Sequence, residues 1–160
     1  KPIWPVLSKE LKGKLSQDLF EKMMTFQVFT YPAIELSEMQ LKQGTPVWMY
    51  RFDFKSTALG GGLKACHALE IPFVWNSLTN PKTENFTGDS PERFNIAKQM
   101  HHAWIAFAHN GNPNTPELPH WPNYDTEQRA TMLFNITSQV ENDPAKEERL
   151  LFKKITLKPV

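Results

Sequence analysis

His67 is the residue best placed for chemistry. It follows a connector bearing Gly60, Gly61 and Gly62, and that connector leaves an apolar segment, 46–54, with the character of a buried strand. Proteins of the α/β class carry reactive groups on such loops, at the carboxyl ends of strands, and an imidazole titrates near neutrality. On residue type alone, however, a single histidine after a strand is more often a surface or satisfied core residue. Cys66 beside it suggests a Cys–His dyad, but adjacent residues in an extended loop point to opposite sides, so a small buried packing residue is the plainer reading. His101 and His102 are adjacent and diverge by about 100° on a helix. With His109 and His120 they give no i, i+4 pair, so no metal site is expected. None of the seven serines sits in a G-x-S-x-G elbow, the turn that presents a serine nucleophile. Two acids lie near His67: Glu70, three residues on, and Asp53 at the strand end.

The elements that would hold His67 are legible in outline. Leu19, Phe20, Met23, Met24 and Gln27 give a stretch from Ser16, its cap, to about Phe29 an apolar face at helical spacing. Pro32 is expected to stop or kink that helix, because it lacks a donor and clashes with the preceding turn. A second helix over 33–42 ends at Gly44. Segment 46–54, short and rich in aromatic residues, reads as a strand, and 55–64 as a flexible loop. The clearest helix spans 91–110: Ser90 caps it, Pro91 suits its first position, and Glu92 suits the positive end of its dipole. Ile96, Ala97, Met100, Ala103, Trp104, Phe107 and Ala108 fall on one stripe, and Gly111 and Pro113 end it. A proline-rich loop (Pro116, Pro119, Pro122), a strand near 131–134 and a charged surface helix over 141–149 complete the order. A strand as apolar as 46–54 calls for neighbours on both edges and cover on both faces. These elements alone supply too little sheet for that.

Composition excludes several classes. The chain has 160 residues, 40% of them hydrophobic, enough for a packed core and too many for a disordered chain. With a net charge of +1, and with Glu10 and Asp18 set among Lys9, Lys12 and Lys14, it carries no basic footprint for nucleic acid. Its apolar runs, such as Pro72-Phe73-Val74-Trp75, are too short to span a bilayer. One cysteine points to a reducing cytoplasm, although cysteines upstream could pair with it. The triplets Asn85-Phe86-Thr87 and Asn135-Ile136-Thr137 match a glycosylation pattern common by chance.

The stretch Ala65-Cys66-His67-Ala68-Leu69-Glu70-Ile71-Pro72-Phe73-Val74-Trp75 resembles the histidine motif of type B carboxylesterases, the family of bacterial para-nitrobenzyl esterases and cholinesterases. Phe29-Thr30-Tyr31-Pro32-Ala33 and Thr45-Pro46-Val47-Trp48-Met49-Tyr50-Arg51-Phe52-Asp53 resemble the segment leading into it. Trp104-Ile105-Ala106-Phe107-Ala108-His109-Asn110-Gly111-Asn112-Pro113 is similar to the family's helix-ending pattern, and Trp121-Pro122-Asn123-Tyr124 precedes the last strand as it does there. The matches run in the family's order from about Phe26 to Phe134, closest to the para-nitrobenzyl type.

The resemblance implies an α/β-hydrolase fold, with residues 1–160 forming the C-terminal portion of one catalytic domain. It implies a serine carboxylesterase acting on small uncharged esters through an acyl-serine intermediate, with no metal or cofactor. His67 would be the general base, and Phe26, Phe29 and Ala68 would contact substrate. Triads of this fold run Ser, Asp/Glu, His in the chain. Only 66 residues precede His67, fewer than the family places between its acid and its histidine. The serine and the acid are therefore expected upstream of Lys1, in an N-terminal remainder that would be this chain's partner, and the chain alone is expected to be inert. The opening on Lys1, without methionine, suits a segment of something longer, though a processed end would look the same. Glu70 falls on a family position read as structural. The alternative is a catalytically inactive binding module of the same fold. Its relatives are secreted and disulfide-bonded, and a single cysteine and an intact His67 argue against it.

Overall fold

The computed structural model describes residues 17–156 and divides into two compact units: the described residues up to Thr45 together with those from Asp143 onward, and Pro46–Asn142. The expected cap Ser16 and the cluster of Lys9, Lys12 and Lys14 lie outside the described residues.

The first unit is helical. Helix α1 (Gln17–Thr25) runs through a π-helical turn (Phe26–Thr30) into α2 (Tyr31–Lys42), so Pro32 does not end the helix as expected. It sits in the first turn of α2, and the Tyr31 N–H bonds back to the Phe26 carbonyl, five residues earlier. That wider turn makes room for a proline ring that an α-helical turn would press onto the carbonyl four residues before it. Gly44, at φ +74°, takes the left-handed conformation expected after α2. Helix α6 (Lys146–Thr156) packs in the same unit. The Phe152 ring lies 4.3 Å from Tyr31 and 5.4 Å from Phe26, centroid to centroid. Lys22 pairs with Glu148, and the Arg149 guanidinium holds the Asp143 carboxylate by two hydrogen bonds.

The second unit holds the sheet. Strands β1 (Met49–Phe52), β2 (Ala130–Phe134) and β3 (Gln139–Asn142) lie in the order β1-β2-β3. β1 and β2 are parallel in the register Met49↔Thr131 to Phe52↔Phe134, and β2 and β3 are antiparallel. β2 is buried along its whole length. The ladder of β1 is shorter than the apolar run 46–54, but Asp53 and Phe54 both donate their N–H to the Phe134 carbonyl and carry the pairing two residues further. A parallel pair needs a long crossover. Here it contains a 3₁₀ turn (Ala58–Gly61), two short helices, α3 (Ile71–Val74) and α4 (Glu84–Thr87), and the long α5 (Glu92–Asn110).

Helix α5 lays Ile96, Ala97, Met100 and Ala103 against Phe73, Met132 and Phe134. The apolar stripe buries its first three turns as expected, while Phe107 and Ala108 come out exposed. Gly111, at φ +72°, caps the helix by donating its N–H to the Phe107 carbonyl. The N-terminus departs from expectation: the Ser90 hydroxyl donates to the Glu92 carboxylate and caps no backbone N–H. The Ser90 hydroxyl, followed by Glu92's own backbone N–H, lowers the Glu92 pKa.

The charged tail also differs from the sequence reading. Residues 139–142 form β3, and the surface helix starts only at Lys146. Among the described residues no helix is long and apolar enough to cross a membrane.

Candidate active site

His67 sits on the turn between the glycine-bearing loop and α3, past the carboxyl end of β1, and its side chain is exposed. The turn closes with the Leu69 N–H on the Cys66 carbonyl (3.2 Å) and the Ile71 N–H on the Ala68 carbonyl (3.2 Å). Leu69 and Phe73 are fully buried and plug the downstream side into the core. Ala68, at φ +68°, occupies the left-handed region, an uncommon conformation for a residue with a Cβ. Such strain concentrates at functional turns and persists only where the surroundings enforce it. Here the buried Leu69, next to Ala68, supplies that enforcement, while His67 on its other side is exposed.

Upstream, the loop is closed by the Ser56 N–H donating to the Lys64 carbonyl at 3.0 Å. The Ser56 side chain is buried; its hydroxyl donates to the Phe86 carbonyl (2.7 Å) and accepts from the Ala58 N–H (3.0 Å). Leu59, Gly60, Gly61 and Lys64 all have positive φ, so the connector is a chain of tight left-handed bends.

The other candidates are spoken for. Asp53 is held by Arg51 in a bidentate pair at 2.6 and 2.7 Å. Glu70 faces Tyr50 of β1: burial first, then the Glu70 charge, raises the Tyr50 phenol above its ordinary pKa. His101 directs Nδ1 at the Val74 carbonyl (2.8 Å), tying α5 to α3, whereas His102 directs Nδ1 at the Glu117 carboxylate (3.2 Å). Neighbours on one helix thus serve opposite sides. Among the described residues no group of three histidine, cysteine or acidic side chains is placed to hold a metal. Cys66 is a half-buried free thiol.

Phe26 and Phe29 lie on the π-helical turn of the other unit. Phe26 is 3% exposed, and its ring packs on Tyr31 and Phe152; Phe29 is 48% exposed. The first is therefore a core residue of its unit, and the second presents its ring. The buried Ser56 and the contacts around it carry no signal in the sequence, since they depend on loops that meet only in three dimensions.

A histidine presented on a strained turn after a parallel strand, with a long crossover helix behind it, is an arrangement of the α/β-hydrolase class. The profile described as the Carboxylesterase family matches residues 5–152, and the chain belongs to that family, matching its C-terminal portion. The chain is similar to the para-nitrobenzyl esterase of Bacillus subtilis, 36% identical over 90% of this chain and 30% of that enzyme. It is also similar to the human cocaine esterase, 33% identical over 73% of this chain and 21% of that protein. Among solved structures, the Geobacillus stearothermophilus carboxylesterase EST55 at pH 6.2 superposes with a TM-score of 0.74 and 39% identity, covering 92% of this chain and 31% of that one. A structure of PNB esterase gives 0.74 and 34% over 91% and 28%. The chain therefore spans less than a third of the length of each of these relatives.

Proposed function

We propose that this chain supplies the general base of a serine carboxylesterase, and that the base is His67. The observation that carries the reading is the exposed imidazole of His67 on its anchored turn, in a chain of the carboxylesterase family. In the reaction so assigned, His67 takes the proton of a serine hydroxyl as the serine attacks the ester carbonyl, and returns it to the departing alcohol. Water then cleaves the acyl-serine by the same proton route. The serine and the acid that steadies the imidazolium belong to the remaining length of the relatives, and the N-terminal remainder of the esterase is the partner of this chain. Its substrates are small uncharged carboxylic esters.

Ala68, next to the base on the strained turn, Phe29, with its exposed ring, and Phe26, packed on Tyr31 and Phe152, are the candidates for substrate contact. The single cysteine favours a reducing cytoplasm as the place of action. The experiment is hydrolysis of para-nitrophenyl butyrate by the full-length esterase carrying this chain, with and without His67→Ala. Turnover that vanishes in the variant supports the assignment, and turnover within tenfold of the parent removes it.

A further inference from the structure

We infer that Thr57 is a positioning residue for His67: its hydroxyl clasp with Asp89, backed by buried Ser56, fixes the loop from which the histidine projects. The inference rests on the reading of His67 as the general base. Downstream of His67 the chain is set by burial of Leu69 and Phe73. Upstream it has no such plug, because the connector is exposed at Leu59, Gly60, Gly61, Gly62, Lys64 and Ala65. A run with three glycines has many alternative conformations. Its fixed points are hydrogen bonds: two short turns within it, from the Gly62 N–H to the Leu59 carbonyl and from the Lys64 N–H to the Gly61 carbonyl, and those at its base.

The base is tied in a continuous series. The Thr57 hydroxyl donates to the Asp89 carboxylate at 2.9 Å and accepts the Asp89 N–H at 3.1 Å, a reciprocal pair across two loops. One residue earlier, Ser56 bonds to the Phe86 carbonyl and, through its N–H, to the Lys64 carbonyl. The two loops meet backbone to backbone because Gly88 has no side chain: a Cβ there would stand 2.1 Å from the Thr57 hydroxyl and 2.6 Å from the Thr57 nitrogen. The far loop is in turn fastened to α5 by Arg93, 5% exposed, whose guanidinium donates to the Thr87 hydroxyl (2.9 Å) and to the Gly88 carbonyl. The helix is thus tied through Arg93, Gly88, Asp89, Thr57 and Ser56 to Lys64, three residues before His67. Burying an arginine is costly; among the described residues its acidic neighbour is Glu84, at 3.9 Å, and its hydrogen bonds go to one loop's carbonyl and hydroxyl.

A general base displaced by a fraction of an ångström still lets substrate bind but transfers protons poorly. Thr57 and Asp89 are exposed, so the clasp is removable without opening the core. The test is kcat and KM for para-nitrophenyl butyrate hydrolysis by the full-length esterase carrying this chain, as parent, Thr57→Val and Thr57→Ser, normalised to active sites titrated with an organophosphate, with His67→Gln assayed per amount of folded protein. Thr57→Val, which keeps the shape and loses the hydroxyl, is expected to lower kcat per active site about tenfold with KM within about twofold. Thr57→Ser is expected to restore it. Parent-like kcat in Thr57→Val, an equal loss in Thr57→Ser, or a loss of titratable sites with normal kcat in those that remain each overturn the inference, provided that His67→Gln is inactive. An active His67→Gln instead removes the reading beneath it, and the inference with it.

Discussion

Gly88→Ala is the substitution whose cost the structure fixes most tightly. Gly88 sits at φ +80° and ψ −171°, a region essentially confined to glycine, where a side chain costs on the order of 1–3 kcal/mol in strain. The added methyl also has no space: its nearest neighbours are the Thr57 hydroxyl at 2.1 Å and the Thr57 and Ala58 nitrogens at 2.6 and 3.0 Å. Backbone cannot swing aside as a side-chain tip can, so the two loops must part and the Thr57–Asp89 pair of hydrogen bonds is lost, at about 1 kcal/mol for each. The expected destabilisation is about 3–5 kcal/mol. Gly111→Ala is the internal control. Gly111 is also left-handed, at φ +72°, but an added methyl there meets nothing within 4 Å, so only the conformational cost of about 1–2 kcal/mol applies. Urea unfolding followed by tryptophan fluorescence, with unchanged slopes, reads both. If the two substitutions cost the same within about 0.5 kcal/mol, the close approach of the two loops is wrong.

Three further outcomes follow from other parts of the fold. Met132, fully buried in the central strand, should cost about 2–5 kcal/mol as Met132→Ala, whereas Met39→Ala on an exposed helix face should stay within about 0.5 kcal/mol in the same assay. Asn114 accepts the Trp121 N–H at 2.7 Å and donates to the Trp121 carbonyl at 2.8 Å, so Asn114→Ala should cost about 1–3 kcal/mol and speed hydrogen exchange at the Trp121 amide. The Asp125 carboxyl lies below its ordinary pKa, first because it accepts the Gln128 N–H and then that of Glu127. A lowered folded pKa means stability that is present above the unfolded value, about 3.9, and lost as pH falls through the folded one. Asp125→Ala should therefore flatten the stability profile below about pH 4 and leave its slope near pH 7 unchanged.

Where the chain buries a regular face, the sequence announces it. Ile96, Ala97, Met100 and Ala103 recur at helical spacing, and Gly111 marks the stop, so α5 is readable to within a residue. β2 and the core of β1 are readable for the same reason, as aromatic and branched runs bounded by turn residues. β3 is not. Gln139, Val140, Glu141 and Asn142 offer one apolar side chain, and their strand exists because its backbone pairs with that of β2. Pro32 does not stop the helix, because the π-turn before it relaxes the α-helical spacing that a proline cannot follow. Ser90 misleads because the helix starts one residue later than a Ser90 cap requires, with Pro91 at its N-cap, and the Ser90 hydroxyl instead donates to the Glu92 carboxylate. His67 is a weak candidate by type and position. The order of motifs from Phe26 to Phe134 singles it out. The Thr57–Asp89 clasp joins positions far apart in the chain, and only Gly88 hints at it, as a glycine in an apparent turn.

The account stands or falls on the imidazole of His67. Its most direct measurement is kcat/KM for para-nitrophenyl butyrate in the full-length esterase carrying this chain, with His67→Gln set beside Cys66→Ser as a neighbouring control. A loss of at least about a thousandfold is expected in His67→Gln, since a triad has then lost its base, with parent-like turnover in Cys66→Ser. His67→Gln with kcat/KM within tenfold of the parent would contradict it.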